Sequence, residues 1–365
     1  MDIKSKLHYH LSNFFGQSIC PSGVTQLTSK LQTVSPQASS RQMLALINPG
    51  SGRGKAKQQL KVVMPIFEKC NIRIKIAEIQ GDQVFCEPSI QPFVTFFQTL
   101  DLSCIDGLIV CGGDGTVHSV VNALMSRLDS IDAITIPIGI LPCGTDNGLC
   151  KTILACSEET YSLANAALII AKGYTRALDL FKISQPEKSI VYGVHSLTWG
   201  LVSDVDIRSN RLKFLGPLKE WIYGAFYVLR SKLYAGEVSF ASESVRHRTS
   251  SNICHDQFIG LWAMNVPWAG KSWLTAPFAE LNNGLIDLLI FRQGLSRREL
   301  VAIFLKMPYG SHIHCPNLEY YKTSSLTLKP TQTPCMMSID GEPTEVKSID
   351  LEVLRKSCVV FCSHI

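Results

Sequence analysis

The sequence predicts two architectures in series: a doubly wound α/β domain, then a mainly antiparallel β-sandwich. Two observations carry the first. Apolar runs at residues 43–47 and 108–111 each lead straight into a glycine-rich turn and then into apolar residues at helical spacing, the way a buried parallel strand hands over to a helix. The third observation carries the second domain. From about Thr160 the chain changes to short strand-like runs with turns between them.

In chain order, residues 1–40 are rich in Ser, Gln and Thr and read as a mobile arm. The run 43–47 is a buried strand, followed by Asn48-Pro49-Gly50-Ser51-Gly52-Arg53-Gly54-Lys55 and a helix carrying Leu60, Val63, Ile66 and Phe67 on one side. Ala56 stands where a Walker A loop needs Ser or Thr, so this is a phosphate-type loop of another kind. Alternation over 72–79 predicts a second strand, and a helix is expected around 93–100.

The centre of the chain is Leu108 to Leu124. A strand enters Gly112-Gly113-Asp114-Gly115-Thr116, and Val117, Val120, Val121 and Leu124 then mark one face of a helix. Such a turn points backbone N–H groups and the positive end of the helix dipole at an anion. An acid in that cradle is awkward unless it handles a metal ion or a proton, so Asp114 is expected to be chemical. A fourth strand over 134–141 ends in Pro142-Cys143-Gly144-Thr145-Asp146-Asn147-Gly148. Three glycine loops leaving strand ends would meet on one edge of a parallel sheet, where ligands bind in open α/β folds.

A helix over 161–171 follows. Strands are then expected at 177–183, 190–197, 236–241, 258–265, 285–291, 325–328, 336–339 and 358–362, with helices at 217–232 and 297–306. The expected division is an arm at 1–40, an α/β domain at 41–165 and a β-rich domain at 166–365. Asp340-Gly341-Glu342 reads by itself as a hairpin turn.

The bulk numbers narrow the chemistry. The 365 residues are 46% hydrophobic, ample for real cores, and the net charge of +5 suits anionic substrates or membrane surfaces and is too small to argue for nucleic acid. Thirteen cysteines without a signal peptide read as reduced thiols. His312-Ile313-His314-Cys315 lacks partners at zinc spacing, so no structural metal site is expected. No apolar run is long enough to span a bilayer.

The GGDGT stretch resembles the motif of the diacylglycerol kinase catalytic superfamily, and residues 48–56 resemble the NPxSGxGKA loop that opens its catalytic domain. Ser196-Leu197-Thr198-Trp199-Gly200-Leu201-Val202-Ser203-Asp204-Val205-Asp206, with Arg211, Lys213, Leu215, Gly216, Pro217 and Lys219, looks like the sphingosine kinase pattern SLAWGxxADVDxxSExxRxLGxxR. The resemblance extends through Ala276-Pro277, Met307-Pro308-Tyr309-Gly310-Ser311-His312 and Cys315-Pro316 to Asp340-Gly341-Glu342, about residues 43–345.

It implies a Rossmann-like ATP-binding catalytic domain and a lipid-binding sandwich, with Asp114 as general base. ATP and Mg²⁺ are the implied cofactors. The nucleotide contacts would be Asn48, Pro49, Gly50, Ser51, Gly52, Gly112, Gly113, Gly115, Thr116, Gly144, Thr145, Asp146, Asn147, Lys213, Lys219, Asp340, Gly341 and Glu342. Asp206, with Val205 and Val202, would hold the head of a sphingoid-base lipid, since an ammonium in an apolar pocket needs a carboxylate. Alternatives are a ceramide, diacylglycerol or other lipid kinase, or a lipid-binding pseudokinase. The implied setting is cytoplasmic with peripheral membrane contact and no nucleic acid, and a homodimer is left open. The chain departs from the family pattern at several points. Gly112-Gly113-Asp114-Gly115 stands for SGDG, and Gly144-Thr145-Asp146-Asn147 for GSGN. Ser119 replaces a glutamate, Lys213 and Lys219 replace two arginines, and Lys182 falls where an alignment places the serine near the substrate hydroxyl.

Overall fold

The computed structural model describes residues 40–79, 90–144, 147–209, 232–243, 250–333 and 335–363. The first half is a βα alternation. It comprises β1 (Arg41–Ile47), α1 (Ala56–Lys69), β2 (Ile72–Glu78), α2 (Gln91–Thr99), β3 (Gly107–Gly112), α3 (Asp114–Met125), β4 (Ile138–Pro142), α4 (Gly148–Cys156) and α5 (Leu163–Lys172). The four strands are parallel in the order β2-β1-β3-β4. α1 packs with α5 and α2 with α3. Every residue of β3 is buried, which is why its sequence shows no alternation.

The fourth strand starts four residues later than its apolar pattern suggests. Ser130–Ala133 form a helical turn, and Ile136 N–H still bonds to Ala133. Pro137 has no N–H to offer a neighbouring strand, so it gives only its carbonyl, to Leu108.

The second half contains β5 (Thr175–Ser184), β6 (Val191–Gly193), β7 (Ser196–Gly200), α6 (Leu201–Ser209), β8 (Tyr234–Glu243), β9 (Ser250–Met264), β10 (Ile286–Arg292), α7 (Arg297–Lys306), β11 (Glu319–Pro330), β12 (Cys335–Ile339), β13 (Glu342–Val346) and β14 (Ile349–Phe361). Apart from the single parallel contact of β14 with β4, the pairings of these strands are antiparallel. The first half of β9 pairs with β8 and the second half with β10, and β11 likewise divides between β8 and β10. Long strands that change partner along their length make the corners of a sandwich.

The two halves share one sheet. β14 runs antiparallel to β5 and touches β4 in parallel through Val360 and Ile138. Its Phe361 ring lies over Gly107 and Gly139, and at both positions a Cβ would overlap that ring or a neighbouring Met43 or Ile170 side chain. The core around β1 to β4 accordingly includes Leu178, Leu180 and residues 358–362. A second core fills the sandwich around Trp199, Phe258 and Leu288. A third lies under α7 and joins Leu201 and Val202 to Trp273, Phe291, Leu300, Ile303 and Met307. The predicted helix at 217–232 lies, but for Lys232, outside the described residues, as does the arm at 1–40 but for Ser40.

Candidate active site

The three glycine loops meet. Gly52 adopts φ +60°, a conformation glycine takes at no steric cost, and a Cβ there would overlap the Cys143 carbonyl oxygen of the third loop. Gly144 donates its N–H to Gly112 O at 3.1 Å, and a Cβ on Gly144 would overlap the Gly113 backbone. Asn48 folds the first loop by accepting the Gly50 N–H on its side chain (3.0 Å) and the Ser51 N–H on its carbonyl (3.0 Å). Asn147 staples the third loop, donating to Gly144 O at 3.0 Å. Pro49, Gly50 and Ser51 are therefore carried on the loop that abuts Cys143, and Thr116 packs its side chain against Gly112. Thr145 and Asp146 lie outside the described residues. Gly52→Ala is expected to destabilise the fold by about 1–3 kcal/mol through strain and overlap together. A thermal melt within 1 °C of wild type would contradict this close approach.

Asp114 opens α3 and is 9% exposed. Its carboxylate accepts the N–H of Gly148 on Oδ2 (2.7 Å) and of Leu149 on Oδ1 (3.2 Å). These are the leading amides of α4, which have no partner inside their own helix. The acid therefore spans two helix N-termini, where negative charge is favoured. No side chain fits at Gly148, whose Cβ would meet His195 Nε2, Trp268 O and Gly270 N, so the start of α4 is held tightly.

Asp340 and Gly341 both have positive φ (52° and 86°) and form the two-residue turn between β12 and β13. Asp340 does more than turn the chain. Its Oδ2 accepts from Val194 N–H (2.9 Å) and faces His118 Nδ1 at 2.8 Å, while Oδ1 accepts from His195 N–H (2.8 Å) and Ser196 N–H (2.9 Å). His118 lies one helical turn beyond Asp114 on α3. Burial alone would raise the Asp340 carboxyl, but the His118 hydrogen bond and charge, with His195 and the backbone donor, outweigh it and hold it below the usual range. The same bonds explain why the apolar run 190–197 is two strands. The N–H groups of Val194, His195 and Ser196 are spent on Asp340 and cannot extend a ladder.

Glu342, the next acid, projects over the central turn: a Cβ on Gly115 would overlap its Oε1. The Asp-Gly-Glu hairpin thus fixes itself with Asp340 and lays Glu342 on the start of α3.

The acids of 196–206 are separated by role. Asp204 accepts from Tyr234 Oη at 2.6 Å and pairs with Lys232 Nζ at 3.5 Å. Asp206 accepts from Ser338 Oγ at 2.5 Å. Ser338 is on β12, two residues before Asp340, so a short path joins Asp206 to the hairpin, to His118 and to the helix that Asp114 opens. Val202 is buried in the third core and Val205 is half-buried on the same helix. Lys213 and Lys219 lie outside the described residues.

Lys182 is not brought into this group. It sits between buried Phe181 and Ile183 and points the other way, 3.8 Å from Glu352. The hydroxyl the fold places beside the Asp340 network is Ser196, 3.0 Å from His195 Nδ1. Ser119 turns back on its own helix, donating to Gly115 O. His118, His195 and Ser338 were not marked by sequence, and Ser196 entered only as the first residue of the family-like pattern. For His118 the only signal is its place one helical turn after Asp114 on the expected helix.

Comparison with known proteins finds relatives for both halves of the chain. Residues 42–183 match the diacylglycerol kinase catalytic domain, and residues 239–362 match the YegS C-terminal NAD kinase beta sandwich-like domain. Sphingosine kinase 1 of Arabidopsis thaliana is 29% identical over 322 residues, covering 80% of this chain and 64% of that protein. Sphingosine kinase 1 of Homo sapiens is 26% identical over 336 residues, covering 82% and 85%. The chain thus spans a little under two thirds of the length of the plant relative. A diacylglycerol kinase from Bacillus anthracis shares the fold, with a TM-score of 0.59 at 16% identity over 90% of this chain and 98% of that one.

Proposed function

The chain belongs to the diacylglycerol kinase catalytic superfamily as a sphingosine-kinase-like member, and on that premise we propose that it transfers the γ-phosphoryl group of ATP to the primary hydroxyl of a sphingoid base, giving the 1-phosphate and ADP. The observation that carries the reading is the placement of two acids. Asp114 stands at the junction of the glycine loops, and Asp206 stands at the edge of an apolar core, linked to the first through Ser338 and the Asp340 hairpin.

Phosphoryl transfer needs positioning and charge stabilisation more than covalent chemistry. The converging loops, Asn48 to Gly52, Gly112 to Thr116 and Gly144 to Asn147, would cradle the triphosphate, with the N–H groups of Gly50, Ser51 and Gly144 spent on holding the loops in shape. Asp114 would accept the proton of the lipid hydroxyl. Asp206 would hold the ammonium of the lipid head, with Val202 and Val205 beside the start of its chain. Lys213 and Lys219 would offset phosphate charge. Of the Asp-Gly-Glu tripeptide, Asp340 and Gly341 serve by shaping the hairpin, and direct approach to the nucleotide falls to Glu342.

Mg²⁺ fits this set. It needs one or two carboxylates, with phosphates and water completing its shell, and Asp114 and Glu342 both border the Gly115 turn. When bound it would neutralise phosphate charge. Among the described residues no helix is long and apolar enough to cross a membrane. On this reading a cytoplasmic protein would meet its lipid at a membrane surface. A homodimer is compatible with this arrangement and is not required by it.

Labelled ATP offered with sphingosine, ceramide and diacylglycerol in turn tests the reading. Phosphate on sphingosine alone is the expected result. Equal labelling of ceramide would replace the sphingoid base with a broader lipid alcohol, and no labelling of any lipid would leave a lipid-binding pseudokinase. Asp206→Asn is expected to raise KM for sphingosine about tenfold or more with KM for ATP little changed, the cost of one charge-assisted bond. Asp204→Asn, whose partners are Tyr234 and Lys232, should leave both constants near wild type. Reversal of those two outcomes would move the lipid head to Asp204.

A further inference from the structure

The helix α7 has two apolar faces, and among the described residues only one is packed into a core. Leu300 and Ile303, with Met307 just after the helix, are fully buried in the third core, the one that also holds Val202 next to Asp206. On the other side Val301 is 44% exposed and Leu305 55%, and Tyr309 beyond the helix end is 59% exposed. These three recur every fourth residue. The stripe continues onto Phe278, 47% exposed, because the chain turn at Gly310 packs against Leu274 and Pro277.

Cations frame this stripe. Arg297 and Arg298 are exposed one turn before Val301, and Lys306 is exposed beside Leu305. Glu299, in the same first turn, is engaged: its carboxylate accepts from Ser296 N–H (2.7 Å) and from the Asn317 side chain, and the Ser296 hydroxyl accepts the Glu299 N–H in return. That capping box fixes the start of the helix and draws the one acid of the first turn into local bonds.

An apolar stripe edged by Arg and Lys on a surface helix matches a bilayer surface: the side chains enter the acyl boundary while the cations meet anionic headgroups. We infer that the outer face of α7, with Val301, Leu305, Tyr309 and Phe278 flanked by Arg297, Arg298 and Lys306, docks the protein on an anionic lipid membrane. The inner face of the same helix walls the apolar core beside Asp206, so docking here would set the lipid-facing side of the second domain against the membrane. The inference rests on the lipid-kinase reading for its purpose and on the α7 surface alone for its binding.

The test uses the full chain and sedimentation with two vesicle types, phosphatidylcholine alone and phosphatidylcholine with about one third phosphatidylserine. Wild type is expected to sediment with the anionic vesicles and weakly with neutral ones. Arg297→Glu with Arg298→Glu should weaken binding to anionic vesicles about thirtyfold or more, from roughly fivefold per cation. Val301→Ser with Leu305→Ser should weaken it similarly without touching a charge. Both pairs lie on the surface and should melt with wild type. Turnover of a short-chain sphingoid base dissolved without vesicles should be unchanged in both.

Vesicle binding equal to wild type in both variants would overturn the docking surface. Wild-type binding equal for neutral and anionic vesicles would do the same. A shift from dimer to monomer in the variants, with vesicle binding unchanged, would reassign the face to a second copy of the chain. Loss of vesicle binding alongside a wild type that phosphorylates no lipid would keep the surface and remove the kinase reading. Phosphorylation with no vesicle binding by wild type would do the reverse.

Discussion

Asp114→Asn is expected to lower kcat by about 10²–10⁴-fold, the usual contribution of a general base, with ATP affinity largely kept. The structure adds a second effect. Each Asp114 oxygen accepts one leading N–H of α4, from Gly148 and Leu149. An amide side chain offers one acceptor and one NH₂ donor, so one of those backbone donors would lose its partner. A buried donor left unmatched costs about 1–3 kcal/mol, and the variant should melt a few degrees early. Kinetic and thermal losses together are the signature of this acid, because it both serves the site and caps a helix. If Asp114 chiefly held Mg²⁺, nucleotide affinity in magnesium would fall with the rate, and added magnesium would recover part of both. The deciding measurement is kcat and nucleotide Kd across a magnesium titration. Turnover near wild type would remove this turn as the catalytic centre.

Asp340→Ala should be the most destabilising single change at the site, by about 3–5 kcal/mol, because it strands four donors at once. Three are backbone N–H groups of residues 194–196 and the fourth is His118. Asp340→Asn should cost less, since one oxygen remains. The pH dependence has a definite sign. The folded-state pKa of Asp340 lies below its unfolded value, so this contribution is complete above the ordinary carboxylate range near pH 4 and is lost as pH falls through the folded value. Wild type should therefore lose stability below about pH 4 more steeply than Asp340→Asn does. Denaturant unfolding of both between pH 3 and 7 checks this, and parallel acid limbs would show that the carboxylate is not the coupled group. Because Asp340 joins α3 to the second domain, Asp340→Asn should also lower kcat with only a minor change in ATP Kd.

The first half was legible because its signals are local. A strand, a glycine turn and a helix start occupy a dozen consecutive residues, and parallel topology brings the ends of such units to one edge. The meeting of the Gly52, Gly112–Gly113 and Gly144 loops follows from that. Helix 297–306 was expected with the limits it has, and its capping box, Ser296 with Glu299, is local to its first turn. The β-rich half was read as strands with shortened limits, since β9 and β11 change partner along their length. The helix at Leu201–Ser209 was not among the expected elements, and the partners of its two aspartates, Tyr234 and Ser338, lie far along the chain.

The sequence by itself determined the order of the two architectures, the glycine loops and Asp114 as the acid among them. These depend on backbone freedom and hydrophobic period, properties that neighbouring residues carry. The tertiary structure alone decided that Asp340 is spent on four protein donors, that Asp204 and Asp206 take different partners, and that Ser196 rather than Lys182 reaches the network. Each of these depends on hydrogen bonds between residues far apart in the chain: His118 and Asp340 are separated by 222 positions and Asp206 and Ser338 by 132. A buried polar group must find a partner somewhere, but its own sequence neighbourhood does not say where.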